Sequence, residues 1–296
     1  MKKIALALML TALCLLFCSC STQDYIYPGS SYTYADGEDY SAGGGNISGR
    51  VEKVDISWLD GMVNIAYHDG GEIVLSETAD QELEEDTKLH WQLEGKTLYV
   101  KYAASGFRRQ SGLEKQLTVQ LPEDLRLEDV EIAVASAAMQ ADGLKADAVH
   151  IQSGSGCVAL WQSGEVGEIK VDTASGSVDV AVEAAGKLVI NTASGEVRVD
   201  GYQVDQMEAA TASGYLSLQF AHTPDKISVD AVSGNVTIRL PKDAGFTAEI
   251  SSVSGAVSGS LLMERKDDGR YVSGDGHCRI RVDTVSGDVQ LSEMLR

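Results

Sequence analysis

Serine residues recur at nearly constant spacing in the second half of the chain, and a serine hydroxyl can act as a nucleophile. In seven copies a glycine follows: Ser155, Ser175, Ser194, Ser213, Ser233, Ser254 and Ser286. A nucleophilic serine needs a base within hydrogen-bonding distance and an oxyanion site, and one such serine suffices. None lies in a Gly-x-Ser-x-Gly motif, and the histidines stand at unrelated repeat positions: His68, His90, His150, His222 and His277. We therefore predict no catalytic residue and expect the hydroxyls to bridge backbone groups at successive corners.

Three aspartates share another position of the repeat, which raises the question of a carbohydrate-active enzyme. Glycoside hydrolases use two carboxylates about 5–9 Å apart. If repeats stack in chain order, Asp172 and Asp230 lie three repeats apart, about 14 Å, and Asp230 and Asp283 two repeats apart, about 10 Å. We therefore predict that the protein is not an enzyme, with a β-helix carbohydrate enzyme as the alternative. Asp179 and Arg198 should form an outward ion pair between neighbouring strands.

The acidic residues also pose the question of a metal ion. Calcium-binding β-rolls repeat Gly-Gly-x-Gly-x-Asp, a pattern that is absent from this chain. Asp275-Gly-His-Cys278 is a lone cluster of side chains that could bind a metal. We expect no metal and no cofactor.

The N-terminus has the features of an export signal. Lys2 and Lys3 precede an apolar stretch from Ile4 to Phe17, which is too short to span a bilayer. Phe17-Cys18-Ser19-Cys20 resembles the lipobox of bacterial lipoproteins, in which a small residue precedes the acylated cysteine. We predict a lipoprotein signal peptide over 1–20, acylation at Cys20 and attachment to the extracytoplasmic face of the bacterial membrane. Acylation at Cys18 and an ordinary cleaved signal remain alternatives.

The net charge of the chain limits which classes of binding partner are plausible. The chain has 24 Lys plus Arg against 44 Asp plus Glu. We therefore exclude nucleic acid as a partner and expect the lipid anchor alone to attach the protein to the membrane.

The two cysteines beyond the lipobox region, Cys157 and Cys278, fall in the second repeat and near the eighth. Stacking in chain order would separate them by nearly 30 Å, too far for a disulfide, so we predict two unpaired thiols.

The elements that position these residues are strands. Residues 21–46 are rich in Tyr, Ser, Gly and acidic residues, which predicts a flexible tether, although the tyrosines leave open that this segment packs on the domain. Apolar residues alternate over 47–129, which predicts strands that cap the repeats of 130–296. Asp60-Gly61 occupies the position of a Ser-Gly pair in an early copy. We expect one continuous domain over 47–296.

The repeat itself predicts the fold. From Ser136 onward, successive serines lie 19, 20, 19, 19, 20, 21 and 32 residues apart. Apolar residues alternate before and after each pair, so we predict a strand, a corner, a strand and a turn per repeat. The corner glycines are Gly156, Gly176, Gly195, Gly214, Gly234, Gly255 and Gly287. Stacked repeats of about 20 residues predict an all-β, single-domain parallel β-solenoid (β-helix), with a β-sandwich as the alternative.

The serial Thr-x-Ser-Gly-x-Val units, with Leu121-Pro122 after a long strand, resemble the bacterial putative adhesin family. This resemblance implies a β-solenoid of unknown function, and the family offers no catalytic residues to carry over. We therefore expect a non-catalytic cell-surface module, adhesin-like or a scaffold, that binds an envelope protein or glycan through its outward strands or the loops near Ser105 and Met263. An envelope sensor that acts through a membrane partner is the second alternative, beside the enzyme.

Overall fold

The computed structural model describes residues 31–108 and 112–294, where every regular element is a β-strand except one short 3-10 helix, η1 (Gly37–Asp39). The all-β prediction is confirmed. Within those ranges no helix has the length and hydropathy needed to cross a bilayer. The predicted signal peptide, with Cys20, lies outside the described residues. The chain divides into two compact units: unit 1 ends at Val158 and unit 2 begins at Ala159.

The central strands of unit 1 pair in parallel, and antiparallel strands lie outside them. The strands are β1 (Ser31–Tyr32), β2 (Ser41–Ala42), β3 (Gly45–Ile47), β4 (Lys53–Trp58), β5 (Met62–His68), β6 (Ile73–Ala79), β7 (His90–Glu94), β8 (Thr97–Lys101), β9 (Phe107–Arg108), β10 (Lys115–Pro122), β11 (Leu127–Val134), β12 (Ala138–Leu144) and β13 (Ala146–Ser153). One parallel ladder runs β8-β4-β11-β13 and a second runs β10-β5-β12. Antiparallel strands extend both: β7 and β2 lie beyond β8, and β6 and β3 lie beyond β10.

The early copy of the repeat at Asp60-Gly61 stacks on the first later copy. The Ser136 hydroxyl donates to Asp60 Oδ1 at 2.9 Å, and the Ser136 N–H donates to the Leu59 carbonyl oxygen at 2.8 Å. Met139 lies opposite Val63 in the ladder of β12 and β5. This pairing explains why unit 1 extends past the predicted start of the repeats at residue 130.

The predicted tether is folded over its described part. Residues 31–46 contain β1, which pairs with β9, and β2, which pairs with β7. Tyr32 is 0% exposed, and the ring centroids of Tyr34 and Tyr40 lie 4.8 Å apart. The flexible-tether prediction is therefore wrong for these residues, because their aromatic rings bury enough surface to order the backbone. The remainder of that segment lies outside the described residues.

A buried lysine joins the strands of unit 1 to the loop that follows β8. The side chain of Lys115 is 0% exposed, and its Nζ lies 2.9 Å from Glu77 Oε2. The same ammonium group donates to the carbonyl oxygens of Thr87, at 2.6 Å, and Tyr102, and it lies 5.0 Å from the ring centroid of Trp58. Burial lowers the pKa of Lys115, and the Glu77 carboxylate opposes that shift.

Unit 2 consists of stacked repeats. Its strands are β14 (Val158–Ser175), which begins at the unit boundary, β15 (Val178–Ser194), β16 (Val197–Ser213), β17 (Leu216–Phe220), β18 (Lys226–Ser233), β19 (Val236–Leu240), β20 (Phe246–Ser254), β21 (Val257–Gly259), β22 (Glu264–Arg265), β23 (Tyr271–Ser273), β24 (Cys278–Ser286) and β25 (Val289–Glu293). A leading segment precedes each Ser-Gly pair and a trailing segment follows it. Both form parallel ladders, with Ser194 opposite Ser213 and Ser213 opposite Ser233. These ladders confirm the β-solenoid and exclude the β-sandwich.

The corners require glycine because neighbouring repeats touch there. Gly195 has φ +134°, and a Cβ atom at this position would lie 2.1 Å from the carbonyl oxygen of Gly176. A Cβ at Gly214 would lie 2.1 Å from the carbonyl oxygen of Gly195, although the φ of Gly214 is not positive. The backbones therefore approach too closely for any side chain, which supports the predicted role of these glycines.

Two threonines bond the corner backbone, and Ser194 makes the contact predicted for a corner serine: its hydroxyl donates to the Ala174 carbonyl oxygen of the preceding corner at 3.5 Å. The Thr173 hydroxyl donates to the Ser175 carbonyl oxygen at 3.2 Å, and the Thr192 hydroxyl donates to the Ser194 carbonyl oxygen at 3.0 Å. Both threonines are 0% exposed. The threonine two residues before each of these serines is the last inward position of its leading segment; the strand alternation ends at the corner, where Ser175 is half-buried and Ser194 is exposed.

The last repeats of unit 2 do not stack in chain order. β24 lies between β18 and β20: Ser233 is opposite Ser286, and Ser286 is opposite Ser254. In the trailing ladder, β25 likewise lies between β19 and β21. The insertion before the eighth repeat lets the chain turn back, because β23 pairs antiparallel with the start of β20. The predicted chain-order stacking is therefore wrong for the final three repeats.

Candidate functional site: an exposed aromatic face

The seven corner serines lie at the surface. Ser175 is half-buried, and the others are exposed: Ser155, Ser194, Ser213, Ser233, Ser254 and Ser286. The Ser194 hydroxyl oxygen lies 3.5 Å from the Ala174 carbonyl oxygen, a backbone acceptor that cannot act as a general base. This environment supports a structural position for the serines.

The aspartates of the leading segments form a polar column in which two carboxylates are neighbours. Asn191 Nδ2 donates to Asp172 Oδ1 at 2.8 Å. Asp230 lies directly opposite Asp283, so the predicted separation of two repeats is wrong. Burial, and secondly the Asp283 carboxylate, raise the pKa of Asp230. Arg281 Nε donates to Asp283 Oδ2 at 2.6 Å and keeps that carboxylate in an ion pair.

The candidate metal ligands do not converge in the described part of the chain. No group of three or more His, Cys, Asp or Glu side chains there could hold a metal ion. In the Asp275-Gly-His-Cys cluster, His277 Nε2 lies 3.0 Å from Asp225 Oδ1. Cys278 is buried, and burial raises the pKa of its thiol to about 12. Cys157 is exposed, and both thiols are free, which confirms the prediction of unpaired cysteines.

The predicted binding loops differ in exposure. Near Ser105 the loop is held by two hydrogen bonds: the Ser105 hydroxyl donates to the Tyr34 carbonyl oxygen at 2.8 Å and accepts from the Tyr34 N–H at 3.1 Å. Near Met263, Leu262 is 86% exposed. Among the described residues of the two loops, a large exposed apolar side chain occurs only in the second.

Large exposed hydrophobic side chains in the described residues are confined to unit 2. They are Trp161, Tyr202, Tyr215, Val253 and Leu262. The three aromatic residues belong to the trailing segments or the turn after them. We call the outward surface of the trailing segments in β14 to β17, β19 and β25, with the adjoining turn at Tyr202, the aromatic face. Tyrosine and tryptophan present a flat apolar body with a polar edge, which suits them for binding.

Strand alternation places Trp161 on this face. Along Val158–Gln162 buried and exposed residues alternate, and Trp161, in an outward position, is 61% exposed. By the repeat spacing, Ala181 and Asp200 hold the equivalent positions, and these two are opposite each other in the ladder.

Tyr202 and Tyr215 flank two paired trailing segments: Tyr202 follows the end of the segment in β16, and Tyr215 precedes the start of β17. Tyr202 is 57% exposed, and its ring meets that of His222 edge-on at 4.7 Å. Tyr215 is 37% exposed, and its hydroxyl donates to Thr237 Oγ1 at 3.0 Å. Six strand positions separate the two tyrosines, which corresponds to a span of about 20 Å. The face is long enough for an extended ligand.

The polar groups between these rings are mostly paired with each other. Arg198 contacts Asp179 at 3.7 Å, which confirms the predicted ion pair, and Glu196 at 2.8 Å. Arg239 Nη1 donates to the Ser217 hydroxyl at 2.9 Å. The face thus combines aromatic rings with hydrogen-bonding groups, among which Arg198 is shared by two carboxylates. Sequence reasoning missed these aromatic residues, although Trp161 stands at an outward position of a clearly alternating strand.

Several solved structures align with this chain over most of its length. An adhesin described as putative from Parabacteroides distasonis aligns with a TM-score of 0.50 and 12% identity, over 86% of this chain and 97% of that chain. A second such adhesin, from Parabacteroides merdae, gives a TM-score of 0.47 and 14% identity, over 87% and 97%. A protein described as putatively lipid-binding, from Parabacteroides distasonis, gives 0.45 and 14%, over 86% and 97%. No curated protein matches the chain significantly.

Sequence comparison assigns the family. The family model described as Toastrack DUF4097 matches residues 51–292, most of the capping strands and repeats. The resemblance based on the Thr-x-Ser-Gly-x-Val units is thereby confirmed. The chain belongs to the Toastrack DUF4097 family.

Proposed function

We propose that this protein is a non-catalytic, adhesin-like module that binds a ligand of the cell envelope or of a neighbouring cell through its aromatic face. The observation that carries the proposal is the exposure of Trp161, Tyr202 and Tyr215 on the trailing segments of one solenoid unit. Exposing such rings to water is unfavourable unless a ligand covers them. The same strands bury apolar residues at their inward positions.

A neutral glycan fits this face better than a charged polymer. Sugar rings carry apolar C–H faces that stack on aromatic rings and hydroxyl groups that accept or donate hydrogen bonds, and both kinds of partner are present. The chain has a net charge of -20, which repels polyanions such as uronic polymers. An envelope protein that uses the same rings as anchoring contacts is the other ligand class.

Binding is tested with the purified full chain in detergent micelles, on immobilised neutral and acidic glycans. We expect binding to neutral glycans and at least a tenfold loss in Trp161→Ala and Tyr202→Ala, as for central aromatic contacts. Tyr271→Ala, a half-buried tyrosine of unit 2 outside the face, is the matched control and should bind normally. If the glycan surfaces capture nothing while an envelope extract yields a protein that the same variants lose, the ligand is a protein.

The second part of the proposal is anchoring through Cys20 to the outer face of a bacterial membrane. Two or more acyl chains suffice for stable attachment, which the acidic body would not provide by itself. Metabolic labelling with an alkyne fatty acid should label the wild type and Cys18→Ser but not Cys20→Ser. The protein with Cys20→Ser should also move from the membrane fraction to the soluble fraction. Equal labelling of all three would contradict the assignment.

The adjacent carboxylates of Asp230 and Asp283 are the observation that favours the enzyme alternative. A raised pKa beside a charged carboxylate is the arrangement of a general acid and its partner. Arg281 is bound to Asp283, however, which suits an ion pair between strands. Release of reducing ends from envelope polysaccharides, lost in Asp230→Asn, would establish catalysis.

The sensor alternative predicts instead that the Cys20-anchored protein co-purifies with a membrane protein and that the Trp161→Ala variant still binds this partner.

A further inference from the structure

Strands β20 and β21 of unit 2 form an open edge. β20 pairs with β24 over its whole length but with β23 only over Phe246–Ala248, and the registers of the described residues place no strand beside Glu249–Ser254 on that side. β21 pairs with β25 alone among the described strands. We call these two segments, with Leu262, the open edge. A solenoid edge of this kind presents unpaired backbone groups that can accept another strand.

Backbone direction identifies the groups at the open edge. The Cys278 N–H donates to the Gly245 carbonyl oxygen, and the Val289 N–H donates to the Ala256 carbonyl oxygen. Alternate residues of a parallel strand bond the same neighbour, so the N–H and C=O groups of Ile250, Ser252 and Val257 point away from β24 and β25.

The open edge is also apolar. Ile250 is half-buried, whereas Val282, the residue opposite it in β24, is 0% exposed. Val253 and Leu262 are 62% and 86% exposed. Pairing of the edge would therefore bury side chains as well as satisfy backbone groups.

We propose that the open edge pairs with the open edge of a second copy of this chain. β20 already pairs with strands of this protein in both directions, in parallel with β24 and antiparallel with β23. Two copies related by a two-fold axis would join their open edges as antiparallel strands, the pairing that β23 shows at the start of β20. Charge supports the same partner. Two chains of net charge -20 repel over most of their surface, but Glu249–Gly259 carries a single acidic residue, Glu249.

The pairing closes at two copies. An isologous contact uses the same edge of both molecules and leaves none for a third. Continued growth would need a second open edge. In unit 1 the outermost strands β2 and β3 are only two and three residues long, and short edge strands pair poorly. This inference is independent of the proposed ligand of the aromatic face.

The test uses the full exported chain carrying Cys20→Ser, by sedimentation equilibrium from about 1 to about 200 µM. We expect a concentration-dependent monomer–dimer equilibrium. Val253→Lys combined with Leu262→Lys adds two charges to the open edge and should be monomeric at every concentration. Thr78→Lys combined with Gln81→Lys adds the same charge at exposed positions of unit 1 and should dimerise like the wild type.

Amide hydrogen exchange separates edge pairing from other association. The amides of Ile250, Ser252 and Val257 should exchange more slowly at the high concentration than at the low one, and far-UV circular dichroism should show that the edge variant is folded. A wild type that is monomeric throughout, an edge variant that dimerises normally, or unchanged exchange at these three amides would overturn the proposal.

Discussion

The outermost strands of unit 1 and of unit 2 end their ladders in opposite ways. In unit 1 short antiparallel strands from residues 31–47 lie against β7 and β6, and the nearby Tyr32 is fully buried. In unit 2 the ladders end in β20 and β21, where Val253 and the neighbouring Leu262 are exposed. The strands at the end of the ladders are thus covered by a nearby segment of the chain in unit 1 and left open in unit 2.

The comparison shows that a repeat specifies its neighbours but not where the stack stops. Each repeat offers one edge to the next, so a stack ends only where non-repeating sequence covers it or where the edge is left for a partner. Unit 1 uses tyrosines, antiparallel strands and the buried Lys115 for the first solution. In the described residues of unit 2, the short hairpin of β22 and β23 covers the beginning of β20 and leaves the rest of that strand unpaired on this side.

The largest expected effect concerns the closed region. Lys115→Met should reduce the free energy of unfolding by about 3–5 kcal/mol, because it leaves the Glu77 carboxylate, 7% exposed, without its cation. Urea unfolding followed by tryptophan fluorescence measures this loss. Lys115→Met combined with Glu77→Gln should recover most of it. If the single variant is as stable as the wild type, the ion pair does not hold the closed region together.

The second prediction compares an interior repeat with the open edge in the same core column. Ile190, 0% exposed, and Ile250, half-buried, hold equivalent inward positions. Ile190→Ala should cost about 2–5 kcal/mol, and Ile250→Ala less than half of that, because its side chain is only partly removed from water. Both are measured by urea unfolding at low protein concentration. Equal losses would show that the edge is covered in the monomer.

The third prediction separates backbone crowding from backbone strain at a corner. Gly195→Ala should cost about 3 kcal/mol, because a positive φ and a clash with the Gly176 carbonyl oxygen act together. Gly164 has φ +77°, and a Cβ atom at this position would meet nothing within 4 Å, so Gly164→Ala carries the strain alone, about 1–2 kcal/mol. Thermal unfolding of both variants measures the difference. A similar loss in both would mean that neighbouring corners can move apart.

The smallest expected effect concerns Asp230 of β18, which lies opposite Asp283 of β24 because the chain turns back before the eighth repeat. Because the pKa of Asp230 is raised in the folded state, its destabilising effect is absent below the unfolded pKa and develops as the pH rises through the folded pKa. Asp230→Asn should therefore stabilise the protein near pH 7 by about 0.2–1 kcal/mol and have little effect in acid. Asp205→Asn, which removes one carboxylate at an exposed position, is the control in the same urea unfolding measurements.

Much of the repeat region follows from local pattern. The period, the inward apolar positions and the corner glycines were predictable because alternation fixes which face a residue occupies and only glycine tolerates the close corner contact. Hydroxyl contacts at the corners were predicted for the serines alone, whereas Thr173 and Thr192, two residues before a corner serine, also bond the corner backbone. The aromatic face was not predicted because strand alternation shows only that Trp161 points outward. It does not show whether an outward residue binds a ligand.

By itself the sequence determined an acidic, all-β chain whose repeats stack in parallel with a glycine corner in each. Tertiary structure decided the order of the final strands, the folding of residues 31–46 and the juxtaposition of Asp230 with Asp283. The physical reason is that a repeat is compatible with any other repeat as its neighbour. Local pattern therefore fixes the register within a pair of strands, and only the path of the connecting segments selects which strands become a pair.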